Sequence, residues 1–248
     1  MAWLHAVIDV PEATVTRAAE FWAAVLGWPL GPPWPGHPEL RSFAPPDGDA
    51  YVHLQVVEGP ARIHVDLEAE DRGDLVGRAT ALGADPVDDR DRWTTLSSPG
   101  ELPFCVVDAV AHRPPGPVAW PLGHRSRLVQ VCIDSPRSAQ PRETDFWRAL
   151  LGGRWVDSPA REFVGKWHDD AGSPVQLLFQ VLDEEDGPVR AHLDHGTDDL
   201  PAEVRRILDL GADDIGPGRG WHALRDPAGL PFCVTGNSPE LTRRRDLG

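Results

Sequence analysis

The segment Arg62-Ile-His-Val-Asp-Leu67 is written twice in this chain, returning 128 positions later as Arg190-Ala-His-Leu-Asp-His195. Its surroundings return with it. Phe21-Trp22 and Leu26-Gly27 reappear 125 positions on, as Phe146-Trp147 and Leu151-Gly152. Leu82-Gly-Ala-Asp85, Trp93 and Pro103-Phe-Cys-Val106 reappear 128 positions on, as Leu210-Gly-Ala-Asp213, Trp221 and Pro231-Phe-Cys-Val234. The change of offset places three extra residues between Gln180 and His192, relative to Gln55 and His64. Landmarks in one order at two offsets mean a duplicated design, which constrains the fold before any local argument does. The expected division is a first domain over 1–109, a Pro-rich semi-rigid linker over 110–127, a second domain over 128–238 and a fraying tail over 239–248. Each copy is about 105 residues, an ordinary domain size.

Local patterns fill in each copy. Residues 4–10 are short, β-branched and stopped by Pro11, which reads as a strand. From Glu12 to Leu26 the positions Val15, Ala18, Ala19, Trp22, Val25 and Leu26 recur at helical spacing, with Gly27 as a left-handed cap. Residues 29–38 form a Pro/Gly-rich, Trp-bearing segment, followed by strands near 40–44 and 50–57. The repeated strand over 62–67 opens a second unit, with a helix over 71–82 and short strands near 94–97 and 104–107. The second copy replays this order: strand 128–134, helix 143–151, strands near 161–167 and 175–181, then the His192 strand. A helix follows over 200–210 with Asp199 at its N-cap, and strands near 223–225 and 232–235 finish the copy.

Composition removes several classes of function. A net charge of −15 argues against nucleic acid or an anionic membrane as partner, since both need a basic face. No run approaches the roughly 18–20 apolar residues of a membrane span. The N-terminus has no basic segment ahead of its first strand, and three cysteines (Cys105, Cys132, Cys233) are too few and too odd for a disulfide framework. Both features fit a cytoplasmic protein. No nucleophile elbow, phosphate loop, dinucleotide glycine pattern, CxxC or HExxH is present.

The order of two βαβββ units per copy, with Phe-Trp and Leu-Gly in the first helix, Val65-Asp66 or Leu193-Asp194 in the central strand, Leu-Gly-Ala after the second helix and Asp226-Pro-Ala-Gly229 before the last strand, resembles the vicinal oxygen chelate superfamily. This is the scaffold of lactoylglutathione lyase, bleomycin-resistance proteins and extradiol dioxygenases, and the details resemble most its actinobacterial glyoxalase-like branch. The resemblance covers nearly the whole chain. It implies an α+β fold of two tandem domains, each pair of βαβββ units curling into an incomplete barrel around a cavity. It also implies metal ligands on the first, fourth, fifth and eighth strands of each domain. Those positions hold His5, Gln55, His64 and Cys105 in the first copy, and Gln130, Gln180, His192 and Cys233 in the second. The carboxylate usual on the last strand in the family's enzymes is therefore a cysteine here.

The first copy is the more polar on the face of its fourth strand, with Tyr51, His53 and Gln55 against Gln176, Leu178 and Gln180 in the second. Two imidazoles and a thiol suit Zn²⁺ with an open position; Ni, Mn and Fe are the other divalent ions to consider. The same residues also serve as satisfied core. His64 and Asp66, two apart on a strand, point to one face. They act either as an oriented imidazole for acid–base chemistry or as a self-satisfied polar pair that pins the register. His53 is a further catalytic candidate. Tyr51, His53, Gln55 and His64, with Trp28, Trp34 and Trp93, are the candidate ligand-binding residues, the indoles offering faces to a planar molecule. The missing carboxylates favour a small-molecule-binding protein, holding an apolar or aromatic metabolite in a Trp-lined cavity without a metal or other cofactor. The alternative is a metal-dependent lyase or isomerase acting on a carbonyl or enediolate through the first copy. A third class is an interaction module. The expected assembly is a monomeric pseudo-dimer or a homodimer.

Overall fold

The computed structural model describes residues 3–168 and 172–240. The same five-element module occurs four times. Module 1 is β1 (Leu4–Val10), α1 (Val15–Leu26), β2 (Leu30–Trp34), β3 (His37–Phe43) and β4 (Val52–Val56). Module 2 is β5 (Arg62–Ala69), α2 (Arg72–Ala81), β6 (Asp85–Asp89), β7 (Trp93–Ser97) and β8 (Pro103–Asp108). After the two-residue β9 (Val118–Ala119), module 3 is β10 (Arg125–Ser135), α3 (Gln140–Leu151), β11 (Arg154–Asp157), β12 (Phe163–His168) and β13 (Gln176–Val181). Module 4 is β14 (Arg190–Thr197), α4 (Leu200–Asp209), β15 (Asp213–Pro217), β16 (Trp221–Arg225) and β17 (Pro231–Thr235). Within every module the strands lie in the order first, fourth, third, second. The first runs parallel to the fourth in β1/β4, β5/β8 and β14/β17, and the helix supplies the crossover such a pairing needs. Among the described residues no sheet closes into a barrel.

The modules assemble into two compact units. The inner unit, named for chain order, holds His64–Ala111 and Val131–Ala191 with the residues up to His5. The outer unit holds Ala6–Ile63, His112–Gln130 and the residues from His192 onward. Each unit thus contains about half of each copy of the repeat, one module from each. Both are built on the same aromatic triplet. In the outer unit Phe21 and Trp22 of α1 pack edge-on against each other and against Phe232 of β17, with centroids 5.1–5.9 Å apart. In the inner unit Phe146 and Trp147 of α3 pack against each other and against Phe104 of β8 at 5.2–5.9 Å. Such pairs add about 0.5–1.5 kcal/mol each beyond the area they bury. An arginine from the second helix then closes the end of the first. Arg78 donates to the Leu150 carbonyl, and Arg206 to those of Ala24 and Val25, satisfying carbonyls a helix terminus leaves open.

Helix caps follow the sequence. Asp71 and Asp199 accept from the amides of Asp74 and Ala202, and Gly27 ends α1 at φ 69°. Three segments depart from expectation. The Pro/Gly-rich stretch contains β2, an edge strand whose pairing with β3 shifts register on either side of Pro33, the kind of place where a sheet tolerates proline. The edge strands β6 and β15 are almost wholly exposed, so neither carries the alternation that reveals a half-buried strand. The Pro-rich segment ends in a folded hairpin, with β9 pairing the start of β10 and the Trp120 indole donating to Ser126 at 2.7 Å. The expected tail lies, from 241 onward, outside the described residues.

Candidate functional site

Strand β5 alternates, so His64, Asp66 and Glu68 share a face. The parallel register sets Cys105 of β8 opposite Asp66, and the antiparallel register sets Thr95 of β7 opposite Cys105. These pairings bring together residues that lie 41 positions apart in the chain. His64 Nε2 stands 3.2 Å from Asp66 Oδ1, and the Thr95 hydroxyl 3.4 Å from Cys105 Sγ. One donor atom each from His64, Asp66 and Cys105 lies within 4.8 Å of the other two. Burial pushes the Cys105 thiol up and the Asp66 charge adds to it, while hydrogen bonds from His64 and Thr95 oppose the shift. The arrangement offers an imidazole nitrogen, a carboxylate oxygen and a sulfur in one place, a donor set that fits a divalent ion with a position left open. The same residues without an ion form a largely buried polar cluster.

The outer unit repeats the cluster. Cys233 of β17 is the register partner of Asp194 of β14, His192 Nε2 lies 3.3 Å from Asp194 Oδ1, and Cys233 Sγ lies 3.6 Å from His192 Nε2. Their donor atoms also fall within 4.8 Å of one another. Around the triad the copies differ. Gln130 donates its amide to Asp194, whereas His5, in the corresponding place, meets Glu68 at 3.0 Å. Glu68 also accepts from the Val110 amide, and its counterpart Gly196 has no room for a side chain: a Cβ there would meet the Asn237 carbonyl and Val129 at 2.8 Å.

The other sequence candidates are placed by the strands that carry them. Gln55 is on β4 of the outer unit, half-buried, in register with Asp9 and Leu40. Tyr51 is fully buried, its hydroxyl donating to the Leu128 carbonyl at 2.7 Å, with Trp28 packed edge-on at 5.4 Å. Burial raises the Tyr51 phenol, against the lowering effect of Arg127. Both rings therefore pack the core. Trp34 and His53 form a separate group: the indole donates to Ser42 at 2.9 Å, His53 Nδ1 lies 2.9 Å from the same oxygen, and the rings meet at 5.3 Å. Trp93 opens β7, half-buried and paired with Val107. Two open clefts, of about 590 and 470 Å³, run past Arg142 in the inner unit and past Glu39 and Arg41 in the outer; neither is lined by tryptophan.

Two features were missed from sequence. Glu68 was legible as the third residue on the His64 face of β5. The other is Glu203 of α4, completely buried with His124 Nε2 at 2.7 Å, His195 Nε2 at 3.1 Å, and Arg206 at 2.7 and 2.8 Å. Burial alone would raise its carboxyl, but Arg206 and His195 outweigh burial and hold it far below the usual carboxylate range. The cluster fixes α4 to its unit. Its signal in sequence is a glutamate and a histidine at positions where the first copy has Leu75 and Leu67.

This architecture is that of the vicinal oxygen chelate scaffold. The model of the glyoxalase-like domain matches residues 5–107 and again 130–235, and the chain belongs to that family. Comparison with curated proteins finds no match. Among solved structures, the Mn(II)-bound glyoxalase from Novosphingobium aromaticivorans superposes with a TM-score of 0.68 at 20% identity, over 93% of this chain and 80% of that one. A variant of homoprotocatechuate 2,3-dioxygenase from Brevibacterium fuscum gives 0.65 at 14% identity, over 100% and 74%. A halotolerant catechol dioxygenase, BphC, gives 0.58 at 14%, over 95% and 85%. At these identities the likeness is one of fold. No helix among the described residues is long and apolar enough to cross a membrane.

Proposed function

We propose that the chain is a glyoxalase-like lyase or isomerase that acts on a small carbonyl or enediolate compound at a divalent metal held by His64, Asp66 and Cys105. One observation carries this reading: three donors of different chemistry, from three strand positions, have their ligand atoms within 4.8 Å of one another. The Mn(II) of the glyoxalase neighbour supports it by likeness of scaffold. A divalent ion at such a site polarises a carbonyl oxygen as a Lewis acid. The protein's part is to hold the donors. The β5/β8 register fixes Asp66 against Cys105, His64 is kept in place by its contact with Asp66, and Thr95 orients the thiol. Elemental analysis of protein purified without a His-tag or chelator tests the reading. Bound Zn, Ni, Mn or Fe, lost from the first site in His64→Ala, is the expected result; a chain that takes up none of these ions on incubation would overturn it.

A second reading, metal-free binding of an aromatic metabolite, is favoured by the Trp34–His53–Ser42 group, which pairs a half-exposed indole with two hydrogen-bonding side chains. Quenching of tryptophan fluorescence by an aromatic carboxylate or phenol, abolished in Trp34→Phe and untouched in His64→Ala, would select it.

A further inference from the structure

We propose that the second copy carries a metal site of its own, His192–Asp194–Cys233, so that the chain takes two thiophilic ions, one in each unit, with zinc preferred over manganese. The inference rests on the reading above for the kind of site, and extends it in number and in metal. Its first support is register. Asp194 faces Cys233 across β14/β17 as Asp66 faces Cys105 across β5/β8, and both clusters have their three ligand atoms within 4.8 Å.

The second support is what has changed around a triad that has not. His5 corresponds to Gln130, Glu68 to Gly196 and Thr95 to Ala223. A cluster kept only to fill space or pin the register would be free to drift with its neighbours. Here these three neighbours differ, yet imidazole, carboxylate and thiol recur together. Gln130 takes over the orienting role in the outer unit, donating to one oxygen of Asp194 while the other stays 3.3 Å from His192. The third support is charge and softness. A thiolate and a carboxylate together balance a divalent cation in a buried setting, and a sulfur donor selects Zn²⁺ or Co²⁺ over the oxygen-preferring Mn²⁺.

The test uses the full chain, freed of metal and then loaded with Zn²⁺ or, as a spectroscopic probe, with Co²⁺. Native mass spectrometry is expected to count two zinc ions per chain. Co²⁺ should give a thiolate-to-metal charge-transfer band that falls by half in Cys233→Ser, by half in Cys105→Ser and disappears in the double variant. An equal concentration of Mn²⁺ should displace neither ion. His192→Gln provides a second probe that leaves the sulfur in place, and it too should lower the count to one. A count of one in the wild type, lost with Cys105→Ser and unmoved by Cys233→Ser and His192→Gln, would overturn the second site while leaving the proposed function standing. Two ions without a thiolate band would overturn the assignment of the ligands. No uptake at all would overturn both proposals.

Discussion

The inner and outer units hold the same aromatic triplet and the same helix-closing arginine, yet they satisfy the helix tryptophan from different places. In the outer unit the Trp22 indole donates to Asp226 at 2.8 Å, and the same carboxylate accepts from the amides of Ala228 and Leu230 in the turn before β17. In the inner unit the matching turn residue is Ser98, which accepts only from Leu102 among these amides. There the carboxylate comes from Glu143, one helical turn before Trp147, and reaches both the indole at 2.7 Å and the Gly100 amide at 2.8 Å. Each buried donor finds an acceptor, as burial requires, but the acceptor has moved from turn to helix. Duplication has kept the physical requirement and let the residue that meets it change. The α4 cluster is the opposite case, because Glu203 and His195 stand where the inner unit has Leu75 and Leu67.

That cluster gives the largest expected effect. Glu203→Ala strands the Arg206 guanidinium beside two buried imidazoles and should lower stability by about 3–5 kcal/mol, read from urea midpoints. Changing Glu203 and His195 together to Leu imports the solution of the inner unit and should cost less than Glu203→Ala alone. If the double variant is the weaker protein, the two units are not interchangeable in the way the comparison requires. The pH profile has a defined direction. Glu203 has a folded value below its unfolded one, so its contribution is present above the ordinary carboxylate range and is lost as pH falls through the folded value. Glu203→Gln should flatten the acid limb of the stability curve.

Asp226 and Glu143 should behave alike, at a smaller scale. Burial raises both carboxyls, against the opposing pull of their hydrogen bonds. Their contribution is therefore fullest below the unfolded carboxylate value and declines as pH rises through the folded one, opposite in sense to Glu203. Asp226→Asn and Glu143→Gln each replace two acceptor oxygens by one, leaving a turn amide or an indole without its partner, at about 1–3 kcal/mol. Equal losses, each with a flattened pH dependence, would show that helix and turn carboxylates do the same work. A loss in Asp226→Asn alone would break the equivalence.

The repeat, the four βαβββ modules and the capping residues were legible because each is a local pattern: two offsets, a change of period, an Asp before a helix. His64 and Cys105 were legible as candidates through family resemblance and Asp66 through its two-residue spacing from His64, and the fold brought these three together. His5 was expected beside His64, but its nearest carboxylate is Glu68, whose place on the same face of β5 follows from period-two spacing alone. Tyr51 and Trp28 read as ligand residues because polarity and aromaticity do not reveal depth; the structure closes both rings into the core. The exchange of Asp226 for Glu143 could not be read from the chain, since it depends on α3 and the Ser98 turn meeting within one unit.

The smallest effect belongs to the repeated strand itself. Arg62 and Arg190 occupy the same position in the two copies. Arg62 reaches the wholly buried Asp9 at 2.8 Å, whereas Arg190 makes a paired contact with the exposed Glu184 at 2.8 and 3.0 Å. The geometry of the second pair is the better, and that pair pulls Glu184 down and Arg190 up. Solvent nevertheless decides the outcome, because an exposed pair loses most of its attraction to water and ions while a buried carboxylate has little else to replace a lost guanidinium. Arg62→Ala should cost about 1–3 kcal/mol, as for a hydrogen bond to a charged buried group. Arg190→Ala should cost less than about 1 kcal/mol and shrink further at high salt. Urea midpoints at low and high ionic strength measure both. A larger loss at Arg190 than at Arg62 would mean that contact geometry, and not burial of the partner, sets what this repeated arginine contributes.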